Sequence, residues 1–137
     1  MGAVTAQPLI AVSDVEASSR WYCALLGCTS GHGGREYERI MDGDEFVLQL
    51  HDWNVHEHRY LGDEASRPWG NGALLWFRVR DFDAAVARAS ELGARILEGP
   101  HDNPRARERE LWLQDPDGYV VVVAGPSESD ASSSDPP

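Results

Sequence analysis

Two stretches of this chain repeat one another, and that repetition limits the fold more than any other feature. Val12-Ser13-Asp14-Val15-Glu16-Ala17, followed by a helical stretch ending at Leu26-Gly27, returns as Val79-Arg80-Asp81-Phe82-Asp83-Ala84 with a stretch ending at Leu92-Gly93. The copies lie 67 residues apart from Val12 to Val79 and 66 apart from Gly27 to Gly93. Short apolar runs precede both (Pro8 to Val12, Leu74 to Val79), and apolar strands close both (Phe46 to Leu50, Tyr119 to Val123). A solenoid needs at least three units to bury a continuous core. A twofold repeat predicts an α+β fold: two βαβββ modules related by an internal pseudo-twofold and forming a cup-shaped mixed sheet. Function is expected in the cleft between them.

At 137 residues the chain holds one domain, so the modules must share a core. The expected division is one domain over residues 1–126, with half one at about 5–53, a connection at 54–71 and half two at about 72–125. Residues 127–137 form an acidic Ser/Asp/Pro tail expected to be disordered. No apolar run reaches the roughly 18 residues that cross a bilayer. No basic region followed by an apolar core opens the chain, so no signal peptide and a cytoplasmic location are expected. Cys23 and Cys28, on or just past one helix, are expected as reduced thiols.

All twelve basic residues are arginine, which excludes lysine chemistry, and the net charge is −11. With three of the acids (Glu128, Asp130, Asp135) in the tail, the rest still carries −8. Such a surface disfavours nucleic acid and anionic membranes and favours neutral or cationic small molecules.

Along the chain, Gln7 to Val12 reads as a strand, Ser13-x-x-Glu16 as a capping box, and Val15, Trp21, Tyr22, Leu25 and Leu26 as the apolar face of a helix stopped by Gly27. Asp42-Gly43-Asp44 marks a hairpin. In half two a helix starts at Asp81, Ile96-Leu97 precede a polar loop from Pro100 to Arg109, Glu110 to Gln114 form a strand, and Asp115-Pro116-Asp117-Gly118 turn into Tyr119 to Ala124.

The paired strand–Val-x-Asp–helix–Leu-Gly units and the Asp115-Pro116-Asp117-Gly118-Tyr119 turn resemble the vicinal oxygen chelate superfamily of glyoxalase I, extradiol dioxygenases, fosfomycin-resistance enzymes and bleomycin-resistance proteins. The resemblance covers about residues 5–125. It implies a homodimer, and metal ligands on the first and last strand of each half. Carried over by alignment, those positions are Gln7, Gln49, Leu74 and Val122. Leucine and valine have no donor atoms, and two neutral amides hold a catalytic divalent ion poorly. No cofactor is therefore expected. The expectation is a metal-independent, bleomycin-resistance-like protein that binds a small aromatic or cationic compound.

Strand parity places Gln7, Gln49, His51, Leu74, Trp76, Arg78, Glu110, Trp112 and Val122 on the cleft, Arg78 needing Glu110 or an anionic ligand group as partner. Five tryptophans suit flat or cationic ligands. Trp21 reads as core, Trp53 and Trp69 as loop anchors, and His32 and His101 as isolated surface residues. The alternative is a metal-dependent lyase, isomerase or dioxygenase with a displaced site, whose ligands would come from His51, His56 and His58.

Overall fold

A computed structural model describes residues 3–53 and 58–127. It divides at Trp69/Gly70 into two units, each with the order β-α-β-β-β. The first unit contains β1 (Leu9–Ala11), α1 (Val15–Leu26), β2 (Thr29–Ser30), β3 (Tyr37–Asp42) and β4 (Glu45–His51). The second contains β5 (Leu75–Arg78), α2 (Phe82–Leu92), β6 (Arg95–Asn103), β7 (Glu108–Gln114) and β8 (Val120–Pro126). Each forms a four-stranded mixed sheet, ordered β1-β4-β3-β2 and β5-β8-β7-β6. First and last strands pair in parallel and the remaining neighbours antiparallel. This is the two-module α+β fold that the repeat predicts.

The repeated aspartates start the helices. Asp14 and Asp81 are N-caps in extended conformation, accepting the amides of Ala17 and Ala84, each at 3.0 Å. The capping box therefore shifts by one residue: Asp14, not Ser13, holds the cap. Gly27 and Gly93 end both helices in left-handed geometry.

Helix α1 buries Val15, Tyr22 and Leu25, and the same unit's buried strand residues are Ile40, Leu48 and Leu50. Tyr22 is the core aromatic, whereas Trp21 beside it is only half-buried. In the second unit Phe82, Ala85 and Ala89 of α2 are buried together with Leu111, Leu113, Val121 and Val123. The opposite faces carry Tyr37, Arg39, Gln49 and His51 in the first sheet and Trp76, Arg78, Glu110 and Trp112 in the second, whereas the buried Glu38 shares the row of Leu50.

Two boundaries differ from expectation. Gln7 and Pro8 precede β1, because only Leu9–Ala11 pair with β4. The stretch from Pro100 to Arg109 is mostly strand: β6 continues to Asn103, β7 begins at Glu108, and only residues 104–107 turn. Register shifts after Ile96 and Glu98 let β6 follow β7 past Gly99-Pro100, a break that sequence alternation reads as loop. The acidic tail beyond Ser127 lies outside the described residues.

Candidate functional site

On the second sheet, cross-strand partners bring five of the expected residues together. Trp76 pairs with Val122, which pairs with Trp112. The two indoles, in edge-to-face contact at 5.9 Å between ring centres, flank a fully buried valine. Trp76 remains 49% exposed, a large apolar surface left uncovered on a rigid strand. Leu74, just before β5, is also exposed. One step along, Arg78, Ala124 and Glu110 stand in the same cross-strand row.

Glu110 is only 3% exposed. Its Oε1 accepts the indole N–H of Trp112 at 3.0 Å, and its Oε2 accepts Nδ2 of Asn103 at 3.0 Å. The His101 imidazole, opposite Glu110 in the β6–β7 register, approaches to 3.9 Å. Burial raises the carboxyl's proton affinity, but the bonds from Asn103 and Trp112 and the field of His101 outweigh it and hold Glu110 below its ordinary value of 4.5. Glu110 is thus a carboxylate near neutral pH and a poor proton donor.

Arg78 does not take Glu110 as its partner. It is well exposed and donates from Nε to Glu108 Oε1 at 2.8 Å. His101 is likewise no isolated surface residue, because the bulged β6 carries it back to Glu110.

The first sheet holds a separate network. The Gln49 amide is satisfied at both ends: Oε1 accepts the Tyr37 hydroxyl at 2.6 Å, and Nε2 donates to the Gln7 carbonyl at 2.8 Å. The Gln7 residue itself is exposed. His51 is buried at the end of β4, with Nδ1 2.8 Å from the Asp52 carbonyl oxygen. A carbonyl only accepts, so His51 Nδ1 is the donor in this contact. His58 packs edge-on against His51 at 4.7 Å, Tyr37 lies 6.1 Å from His51, and His32 lies 5.2 Å from Tyr37. His32 is therefore part of this row and not isolated, while His56 lies outside the described residues.

The glycine-rich stretch beside His32 wraps around a buried carboxylate. Glu38 accepts the amides of Gly31, His32 and Gly33 at 3.1, 2.7 and 2.7 Å, as well as that of Arg39 at 2.7 Å. Successive amides converging on an anion form a nest, and here the anion belongs to the protein. In the connection, Trp53 packs on Trp69 at 4.9 Å, Trp69 donates to the Glu64 carbonyl, and Arg67 stacks on Trp69 at 3.7 Å.

The four positions assigned by resemblance to a divalent ion do not suit one. Leu74 and Val122 offer no donor, Gln7 contributes its main-chain carbonyl to Gln49 Nε2, and the Gln49 oxygen is engaged by Tyr37. Among the described residues no three His, Cys, Asp or Glu side chains gather as a metal site requires.

Sequence reasoning missed Glu108, Asn103, Tyr37 and Glu38. Glu108 was within reach of it: Glu108-x-Glu110-x-Trp112 alternates along one strand.

Comparison with known proteins agrees with this architecture. The family model of the Glyoxalase/Bleomycin resistance protein/Dioxygenase superfamily matches residues 4–123. The chain is 34% identical over 128 residues to the anthracycline biosynthesis protein DauV of Streptomyces sp. (strain C5), covering 90% of this chain and 44% of that protein. It thus spans less than half the length of this curated relative. Among solved structures it is similar to a glyoxalase/bleomycin resistance protein/dioxygenase from Nocardioides (TM-score 0.68, 20% identity, covering 93% of this chain and 86% of that one). It is also similar to the fosfomycin resistance protein FosX from Mesorhizobium loti (TM-score 0.64, 16% identity, covering 95% and 98%).

Proposed function

Because the chain belongs to the Glyoxalase/Bleomycin resistance protein/Dioxygenase superfamily, we propose that it binds a small planar aromatic compound, without a metal ion, on the Trp76–Val122–Trp112 face of its second sheet. The half-exposed Trp76 carries this reading. An indole held edge-on by a second indole, beside a buried valine, offers a flat apolar platform. Covering it would remove on the order of 100 Å² of apolar surface, worth roughly 2–3 kcal/mol, and ring stacking adds about 0.5–1.5 kcal/mol.

The platform is preorganised from below. Glu110 fixes the Trp112 indole through its N–H, and Trp112 fixes Trp76 through the ring contact. Little side-chain freedom is then lost on binding. The absence of donor atoms at Leu74 and Val122 supports a binding role that needs no metal. The name of DauV concerns anthracycline biosynthesis; anthracyclines are fused planar aromatics, and compounds of that shape suit such a platform. Homodimerisation and a cytoplasmic location belong to the same proposal; the first rests on the superfamily resemblance and the second on Cys23 and Cys28 being free thiols.

The test is quenching of tryptophan fluorescence by two planar tricyclic probes, cationic proflavine and anthracene carboxylate, with and without EDTA. Saturable binding of at least one, unchanged by EDTA and weakened about tenfold or more by Trp76→Ala, is expected. Binding lost to the chelator, or indifferent to Trp76→Ala, refutes the proposal.

A further inference from the structure

Glu108, Glu110 and Trp112 share one face of β7, and Trp76 and Arg78 share the matching face of β5. Both Glu110 oxygens have donors. Glu108 differs: Oε1 accepts from Arg78, while Oε2 is withdrawn from solvent and has no hydrogen-bonding partner among the described residues. A desolvated carboxylate oxygen without a donor is costly, and native structures rarely leave one so. Arg109, the neighbour on β7, points to the other face, where it donates to Asp83 at 2.8 Å and stacks over Phe82. Among the described residues this face therefore carries two carboxylates, the His101 imidazole beside Glu110, one exposed guanidinium held through Nε, and one unmet demand for a donor.

We propose that the ligand carries a hydrogen-bonding cation, an ammonium or amidinium group, which docks on Glu108 while the aromatic body covers Trp76. This deepens the reading of the Trp76 face and rests on it. Arg78 occupies the cation's place in part, as a resident competitor. Charge favours the same sign of ligand: an anion drawn to Arg78 would meet Glu108 and Glu110 within a chain of net charge −11.

The consequence for Arg78 separates this proposal from a plain aromatic platform. An anion-binding role predicts that removing Arg78 weakens binding; a competitor role predicts the reverse for cations. The experiment compares proflavine with anthracene carboxylate on the wild type, Glu108→Gln and Arg78→Gln, with circular dichroism to establish that each variant is folded. Proflavine is expected to bind at least tenfold tighter than the carboxylate. Glu108→Gln should weaken proflavine about tenfold while the carboxylate binds no more weakly than before, and Arg78→Gln should tighten proflavine threefold or more. Equal binding of both probes, still dependent on Trp76, overturns the cation assignment and leaves the aromatic platform standing. Weaker proflavine binding in Arg78→Gln also overturns it. Failure of both probes to bind the wild type overturns the platform and the cation assignment together.

Discussion

Replacing Trp112 by phenylalanine isolates the bond on which the candidate platform rests. The substitution keeps an aromatic ring opposite Trp76 but deletes the indole N–H that reaches Glu110 Oε1 at 3.0 Å. Glu110 is almost fully buried, so water cannot readily replace that donor. A hydrogen bond to a charged, buried acceptor is worth about 1.5–3 kcal/mol, and the smaller ring sacrifices some apolar contact, so a loss of about 2–3 kcal/mol is expected at pH 7. For a domain of this size that corresponds to roughly 6–12 °C in melting temperature. The Glu110 carboxyl is held below its ordinary value of 4.5 in the folded protein. A depressed carboxyl contributes stability that is present above the unfolded value and lost as pH falls through the folded one. The gap between wild type and Trp112→Phe should therefore be widest above about pH 5 and narrow under more acid conditions. Urea denaturation between pH 3 and 7 measures it, with Trp76→Phe as control; that variant loses no bond to Glu110 and should cost under about 1 kcal/mol. A gap that does not change with pH, or that equals the control's, refutes the assignment of the Trp112–Glu110 bond as the support of the platform.

Two further outcomes follow from the same physical reasoning. Glu38→Gln puts an NH₂ group where the carboxylate now accepts four amides, so a loss of roughly 1.5–3 kcal/mol is expected by urea denaturation, with faster amide exchange at Gly31, His32 and Gly33. Gly125→Ala would place a Cβ 2.6 Å from Phe82 Cβ and 3.2 Å from the Val79 carbonyl oxygen, an overpacking expected to cost about 1–3 kcal/mol in thermal melting without altering probe affinity.

How much of this was legible beforehand depends on the range of the interaction. The helix stops at Gly27 and Gly93 need only local geometry, and the sequence displays them. The Asp115 turn is as local: Asp115 Oδ1 accepts the amides of Asp117 and Tyr119 within one hairpin. Alternation along β5 and β7 likewise put Trp76, Arg78, Glu110 and Trp112 on one face. Alternation fails where a strand bulges, and the two register shifts in β6 hid the pairing of His101 with Glu110. The Arg78–Glu108 pair spans 30 residues and requires knowing that β8 lies between β5 and β7. The Glu38 nest requires the glycine loop to fold back over its own strand, which no spacing announces.

The misplaced cap was a different kind of miss, because the sequence already held the answer. Ser13 and Asp14 are both good N-cap residues, and Ser13-x-x-Glu16 matches a capping box. Aligned on the repeat, Ser13 falls on Arg80, which has no acceptor to cap a helix, whereas Asp14 falls on Asp81. Two modules that build the same helix start need a residue able to cap in both, and only the aspartate qualifies. The observed bonds from Ala17 and Ala84, equal at 3.0 Å, follow from that requirement. An internal repeat thus carries more than a statement of fold: it supplies a second copy of each local environment, in which a misreading of the first can be detected.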